Sequence, residues 1–186
     1  MTPQHSVRLA GAVALTTLVC ACATPSLGPP PPGPPRGGPP AMMGSANFSA
    51  ADFAWSQRGG GNIIAGRVAY RQGSTRFTCA GSSVVLTPET AWSIRRMEAL
   101  YGSADRAALP ADEVRARTPR APPGDAGPYV KRTTCDDADQ FAFGGLADGA
   151  WYAITIVRAV GDPRAPSVAL MRRVVVRGGR TVAVAL

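Results

Sequence analysis

The chain has 186 residues, of which 45% are hydrophobic, and a formal net charge of +8 from 20 basic and 12 acidic residues. This length allows one globular domain with appended segments. Its one histidine, His5, stands close to the N-terminus. The rest of the chain therefore offers no imidazole for Ser-His-Asp or Cys-His nucleophilic catalysis or for His-ligated metals.

The first 21 residues are typical of an export signal. A short polar start carrying Arg8 precedes the apolar run Leu9–Val19, which is shorter than the roughly 20 residues of a membrane-spanning helix but suits the core of a signal peptide. The segment Val19-Cys20-Ala21-Cys22 resembles the lipobox of bacterial lipoproteins, in which a small residue precedes the cysteine that becomes acylated. We predict that residues 1–21 are removed and that Cys22 is lipidated. An ordinary secretory signal with incidental cysteines is the alternative.

The residue after Cys22 indicates a destination. Ala23 stands where many lipoproteins held at the inner membrane of Gram-negative bacteria have Asp, so resemblance to this sorting rule implies the outer membrane. Stable attachment needs more than one acyl chain, which a triacylated Cys22 would supply. We expect the membrane, reached through this anchor, to be one partner of the protein.

Residues 22–46 carry the predicted lipidated cysteine and a proline-rich linker, TPSLGPPPPGPPRGGPPAMMG from Thr24 to Gly44. Each proline fixes φ and removes a hydrogen-bond donor, which excludes a helix or a sheet ladder. An extended spacer at about 3.1 Å per residue reaches on the order of 50 Å. We expect it to hold the domain away from the membrane, with a proline ligand for another protein as the alternative.

The globular domain is expected over residues 47–186, and its first part combines strand and helix patterns. Two β-rich segments, Asn62–Tyr70 and Ser82–Leu86, precede a segment with helical spacing. For this helix we expect Thr87 as N-cap with Pro88 in the first turn and Gly102 as the stop. Residues 103–128 are rich in Ala, Arg and Pro and predict an irregular excursion, with one helical turn near residues 111–115.

Strand patterns return in the last third of the chain. The clearest hairpin signal is Gly178-Gly179, which stands between two β-branched runs. Short strands separated by turns, with a helical insertion over residues 87–129, indicate a mainly β protein built as a β-sandwich. The predicted strands of this part are Gln140–Phe143, Trp151–Val157, Val168–Met171 and Arg173–Arg177.

Two cysteines remain in the predicted mature domain, Cys79 and Cys135. In an oxidising exported compartment such a pair is most simply a disulfide. Two free thiols are the alternative.

The stretch Thr134–Tyr152 (TCDDADQFAFGGLADGAWY) resembles the signature of carboxypeptidase regulatory-like domains, roughly T-D-x-D-G-x-F-x-F-x-G-L-P-x-G-x-Y. Upstream, Ile64–Val68 is similar to the opening I-x-G-x-V strand of that family, and Cys79–Pro88 to its second strand. The resemblance covers about residues 62–186, interrupted by the insertion. It implies a prealbumin-like sandwich of seven strands.

The sequence departs from this signature at three positions, where Asp139 replaces Gly, Ala147 replaces Pro and Trp151 replaces Tyr. Asp tolerates the left-handed backbone region better than most residues. The signature specifies a fold more than an activity. The hydroxyisourate hydrolases and intradiol dioxygenases that share this architecture depend on histidines that the mature chain lacks, so we expect no enzyme, metal or cofactor.

Acidic and aromatic residues are further candidates for chemistry. Asp136, Asp137 and Asp139 could supply oxygen ligands to a cation, but they lack the remaining calcium-loop ligands, and turn roles are the simpler expectation. The aromatic side chains could form a sugar-stacking platform, although such residues are more often core. These aromatic residues are Trp55, Trp92, Trp151 and Tyr152.

A possible ligand-binding surface lies on the inserted helix. We expect Trp92 and Tyr101 to be better placed for exposure than Trp151, with Arg95 and Arg96 adding positive charge between them. Docking of this helix on the sandwich would explain the same residues. The basic excess fits anionic lipid headgroups or cell-wall polymers. Export argues against nucleic acid as a partner, and codon composition is the alternative source of the arginines.

These observations favour a non-catalytic outer-membrane lipoprotein acting as a structural or protein-interaction module with an envelope protein. The alternative is a binding module for an anionic glycan, peptidoglycan or lipid headgroup that uses the arginine-rich insertion. An enzyme of unfamiliar type is the third possibility.

Overall fold

The computed structural model describes residues 47–119 and 124–186. The predicted signal peptide, Cys22 and the proline-rich linker lie outside the described residues. No helix in the described ranges combines the length and apolarity that crossing a membrane requires.

The described residues form ten strands and three α-helices. The strands are β1 (Asn62–Arg67), β2 (Arg71–Gln72), β3 (Thr75–Thr78), β4 (Ser83–Pro88), β5 (Arg106–Pro110), β6 (Lys131–Thr134), β7 (Gln140–Leu146), β8 (Gly149–Ala159), β9 (Val168–Val176) and β10 (Thr181–Ala185). The α-helices are α1 (Ala50–Phe53), α2 (Ala91–Tyr101) and α3 (Ala111–Arg117), and short 3₁₀ helices span Ala54–Gln57 and Gly127–Tyr129.

The strands form one sheet of three strands and one of seven. The small sheet has the order β10-β1-β7. In the large sheet, β8 is the central strand, with β9 along one edge and β4 and then β3 along the other. The outer strands extend this arrangement, since β5 pairs with β9, β6 with β4, and β2 with β3. The mainly β sandwich with a helical insertion is confirmed, with ten strands in place of the seven implied by the family resemblance.

The core lies between the two sheets and follows the two-residue period of a strand. On β7, Phe141 and Phe143 both face it, as their alternation predicts, and Leu146 is fully buried at the strand end. On β8, Trp151 and Val157 share the same inward face and are fully buried. The aromatic and β-branched residues of both sheets therefore form one hydrophobic cluster.

The predicted hairpin at the C-terminus is wrong, because β9 and β10 do not pair. Gly178 and Gly179 do form a turn, with φ of 69° and 70°, but the turn carries the chain from the large sheet to the small one. There β10 lies parallel to β1, with Ile63 opposite Thr181. The predicted strands 168–171 and 173–177 are one strand, β9.

Polar contacts hold this crossover. The backbone N–H of Arg180 donates to Asn62 Oδ1 over 3.0 Å, and that of Gly178 donates to Asp148 Oδ1 over 3.0 Å. Asn62 Nδ2 in turn donates to Asp148 Oδ1 over 2.8 Å. The start of β1 thus binds the turn that precedes β10, which explains why β10 joins β1.

The predicted start of the inserted helix is also wrong. Thr87 and Pro88 belong to β4, where they lie opposite Tyr152 and Trp151. The N-cap is Thr90, whose side chain accepts from the Ser93 backbone N–H at 3.1 Å, while Ser93 Oγ accepts from the Thr90 N–H at 2.7 Å. This reciprocal pair is a capping box. Gly102 ends the helix at φ 71°, as predicted.

The insertion packs on the outer face of the large sheet. Strands β8 and β9 therefore bury both of their faces, with Tyr152 and Met171 pointing away from the sandwich core. Met97 and Leu100 of α2 and Val114 of α3 cover them. The expectation that the helix docks on the sandwich is confirmed. The expected irregular segment contains strand β5, and the expected single helical turn is the longer helix α3.

The predicted disulfide between Cys79 and Cys135 is present, with Cα atoms 5.7 Å apart. Beside it, Asp139 adopts the left-handed conformation at φ 61° and accepts from the Cys79 backbone N–H at 2.8 Å. Asp136 Oδ1 accepts from the Gln140 N–H at 2.7 Å. Both aspartates therefore fill turn roles at the end of the sandwich that contains the disulfide.

Candidate functional site: a basic cleft on the inserted helix

An arginine-lined cleft of about 230 Å³ opens beside α2. It contains Arg95 and Arg96 of the helix and Arg117 from the end of α3. Helix α2 is amphipathic, with its apolar side on the large sheet, so its polar side points outward. The full lining is Trp92, Arg95, Arg96, Ala99, Leu100, Arg117 and Pro119.

Trp92 does not form the exposed stacking surface that the sequence suggested, since only 7% of it is exposed. The rings of Phe48 and Phe53 pack against it at centroid distances of 5.6 and 6.0 Å. These residues come from the segment after the linker, whose contact with the insertion no local pattern predicts. The guanidinium carbon of Arg96 lies 5.4 Å from the Trp92 ring centroid, a cation–π distance. The Trp92 ring therefore packs against the Arg96 guanidinium and helps to hold it in position.

Tyr101 is likewise buried, with 8% exposed, in the cluster between α2 and the large sheet. Burial raises the pKa of its phenol to about 12, and the nearby Arg96 opposes this shift. The phenol therefore stays protonated at physiological pH. The expected exposure of Tyr101 is wrong because Tyr101 lies one turn after Met97, on the apolar side of α2 that packs against the large sheet.

Arg96 also lines a neighbouring cleft of about 290 Å³. This second cleft lies over the outer face of β4 and includes Thr87, Arg132 and Asp125. Arg96 therefore borders both cavities, and its guanidinium is the charged group that they share.

Arg117 is a site residue that sequence reasoning did not single out. Its Nη1 donates to the carbonyl of Leu100 over 3.1 Å, and its Nη2 pairs with Glu113. The i, i+4 spacing of Glu113 and Arg117 signals a helical ion pair, but nothing in the sequence indicates that α3 lies against the end of α2. Within the described residues, no ion pair involves Arg95 or Arg96.

The other aromatic candidates lie in the core. Trp151 and Tyr152 are fully buried on opposite faces of β8, and the half-buried Trp55 packs edge-on against Trp151 at 5.0 Å. Burial raises the pKa of Tyr152, and the neighbouring Glu89 carboxylate raises it further. Glu89 pairs through both oxygens with Arg173. This pair ties the β4–α2 loop to β9, and these aromatic residues form no exposed platform.

No protein-family model and no curated protein matches the sequence. Among solved structures, the chain is similar to a Pseudomonas aeruginosa protein provisionally described as a carbohydrate binding protein, with a TM-score of 0.51 and 19% sequence identity. The match covers 75% of this chain and 97% of that one. At this identity the match supports the fold.

Proposed function

We propose that the protein is a non-catalytic binding module for an anionic glycan, held at the cell envelope by a lipidated Cys22, and that the α2 cleft is its binding site. The convergence of Arg95, Arg96 and Arg117 on one cleft carries the proposal. Guanidinium groups recognise carboxylates and phosphates through paired hydrogen bonds.

The surroundings of two of the three arginines fit this role. Arg96 is half-buried above Trp92, so its guanidinium is held in position and partly shielded from water. Arg117 is oriented by its bond to the Leu100 carbonyl. Arg95 is exposed at the rim. A site whose charged groups are held in place before binding loses less conformational entropy when a ligand arrives.

One observation and one prediction favour a glycan over other anions. The structural neighbour is provisionally described as a carbohydrate binding protein, and export would place the domain among envelope polysaccharides. Anionic lipid headgroups share the same chemistry, so membrane vesicles must form one arm of the test.

A structural or protein-interaction module is the second candidate. The outer face of the small sheet supports an interaction module, because it carries a row of alanines. Ala65 lies in register with Ala183 on one side and Ala142 on the other. These small exposed side chains, with Ile63 40% exposed beside them, leave a flat surface that another protein could cover.

The test is a binding measurement on the full mature protein with purified peptidoglycan, lipopolysaccharide and anionic lipid vesicles. An Arg95→Ala/Arg96→Ala variant is compared with a matched Arg158→Ala/Arg164→Ala variant, which removes the same charge at exposed positions elsewhere. A charge-assisted hydrogen bond contributes about 1.5–3 kcal/mol. Losing two should weaken polymer binding by roughly a hundredfold or more, while the matched variant binds normally.

Equal losses in the two variants would assign binding to net charge and contradict the site. Vesicle binding that is as strong as polymer binding, and equally dependent on Arg95 and Arg96, would favour the lipid alternative. Absence of binding to every polymer and vesicle would favour the interaction module.

A further inference from the structure

A third cleft, of about 350 Å³, lies where the edges of the two sheets diverge. Within the described residues, β5 is an edge strand of the large sheet and β10 an edge strand of the small one. Leu170 and Ala108 line its large-sheet side, and Ala185 and Leu186 its small-sheet side. A neighbouring cleft of about 330 Å³ shares Tyr70 and Ala108 with it, so Tyr70 borders both.

Two arginines face each other in this cleft. Arg106 of β5 is directly opposite Arg172 of β9 in the antiparallel ladder, and both line the cavity. Like charges in this position repel each other. Arg172 Nη1 donates to the carbonyl of Ala185 over 2.9 Å, but no ion pair within the described residues involves either guanidinium. An anion bound between them would relieve the repulsion.

Tyr70 gives the cleft an aromatic wall. Its ring packs edge-on against Phe77 at 5.2 Å, which fixes its orientation, and the residue is half-buried. An aromatic side chain beside two guanidinium groups suits a sugar ring that carries an acid group.

We propose that this cleft is a second, separate binding site for an acidic sugar unit, with the pyranose ring against Tyr70 and its carboxylate between Arg106 and Arg172. The choice of a sugar rests on the proposed function, whereas the requirement for an anion rests on the arginine pair alone.

The test uses D-glucuronate as probe and saturation-transfer NMR on the full mature protein carrying Arg95→Ala/Arg96→Ala, so that the α2 cleft contributes as little as possible. We expect saturation of the ring protons, with binding weakened at least tenfold by Arg106→Gln. Tyr70→Leu, which keeps an apolar contact with Phe77, should also weaken glucuronate binding. Arg158→Gln is the matched control and should leave binding unchanged, and melting curves verify that each variant is folded.

Acetate and D-glucose separate the parts of the proposal. D-glucose binding as strong as glucuronate binding would overturn the role of the Arg106 and Arg172 pair. If acetate binds as tightly as glucuronate, the cleft is a site for anions in general, and the sugar assignment is overturned. No glucuronate binding in this background, or binding that Arg106→Gln leaves intact, would overturn the second site without affecting the α2 proposal. Conversely, polymer binding that ignores Arg95 and Arg96 but depends on Arg106 would overturn the α2 site and leave this one standing.

Discussion

The ring of Phe141 occupies the space that a side chain at Gly66 would need. A Cβ added to Gly66 would lie 2.0 Å from Phe141 Cζ, well inside van der Waals contact. Gly66→Ala should therefore destabilise the fold by about 1–3 kcal/mol, the usual cost of overpacking a core. Chemical denaturation monitored by tryptophan fluorescence would measure the loss.

A double-mutant cycle tests the cause. Phe141→Leu shortens the ring side chain, so Gly66→Ala should cost less in that background than in the wild type. Ala65→Ser, on the exposed face of the same strand, serves as control and should change stability little. Additive effects of Gly66→Ala and Phe141→Leu would show that the ring is not what excludes the side chain.

The contact between Gly66 and Phe141 shows which part of the fold the sequence could predict. The spacing of the I-x-G-x-V and F-x-F segments reflects side chains that meet in the core, so the sandwich could be recognised from local patterns. The pairing of the strand that follows the Gly178-Gly179 turn could not be predicted in this way. A Gly-Gly pair specifies a turn, but the strand that receives β10 is chosen by Asn62, which binds the Arg180 backbone across the fold.

The residues of the candidate sites also include some that the sequence could predict and some that it could not. Arg95 and Arg96 are adjacent on one helix and visible in the sequence, whereas Arg117 reaches them only through the packing of α3 against α2. Arg106 was not recognised because residues 106–110 are rich in Ala and end in Pro, a composition with weak strand preference. Their pairing with β9 is set by tertiary packing.

Asp148 makes the crossover turn sensitive to acid. The Asn62 amide and the Gly178 N–H both donate to its carboxylate, which lowers its pKa from the ordinary value of 3.8. A carboxyl with a lowered folded-state pKa stabilises the fold above pH 3.8 and loses that contribution as pH falls through the folded-state pKa. Asp148→Asn should therefore lower the melting temperature at pH 7, and the difference from wild type should shrink below pH 3.8.

Differential scanning calorimetry from pH 2 to 7 would follow this difference. Asp137→Asn, at an exposed position in another turn, is the control and should melt like the wild type at each pH. A gap between Asp148→Asn and wild type that stays constant over the range would assign the loss to altered packing and not to the charge.

The proposed lipidation of Cys22 would decide where the domain operates. If the Val19–Cys22 segment is a lipobox, intact mass measurement of the mature chain should show an N-terminal cysteine carrying acyl groups. Cys22→Ala should then leave the membrane fraction or accumulate unprocessed. Cys20→Ala is the matched control and should be processed and anchored normally. A Cys22→Ala protein found processed and still membrane-bound would contradict the anchor.

The Cys79–Cys135 bond should contribute strongly to stability, because it closes a segment with a sequence separation of 56. In the chain-entropy model such a loop corresponds to about 4 kcal/mol. Both cysteines are buried, so replacing both with Ala removes the bond with little change in polarity. The variant should unfold at lower denaturant with a larger m-value, since its unfolded chain exposes more surface. Reduction of the wild type should reproduce the shift, whereas peptide mapping that recovers both cysteines as free thiols would refute the bond.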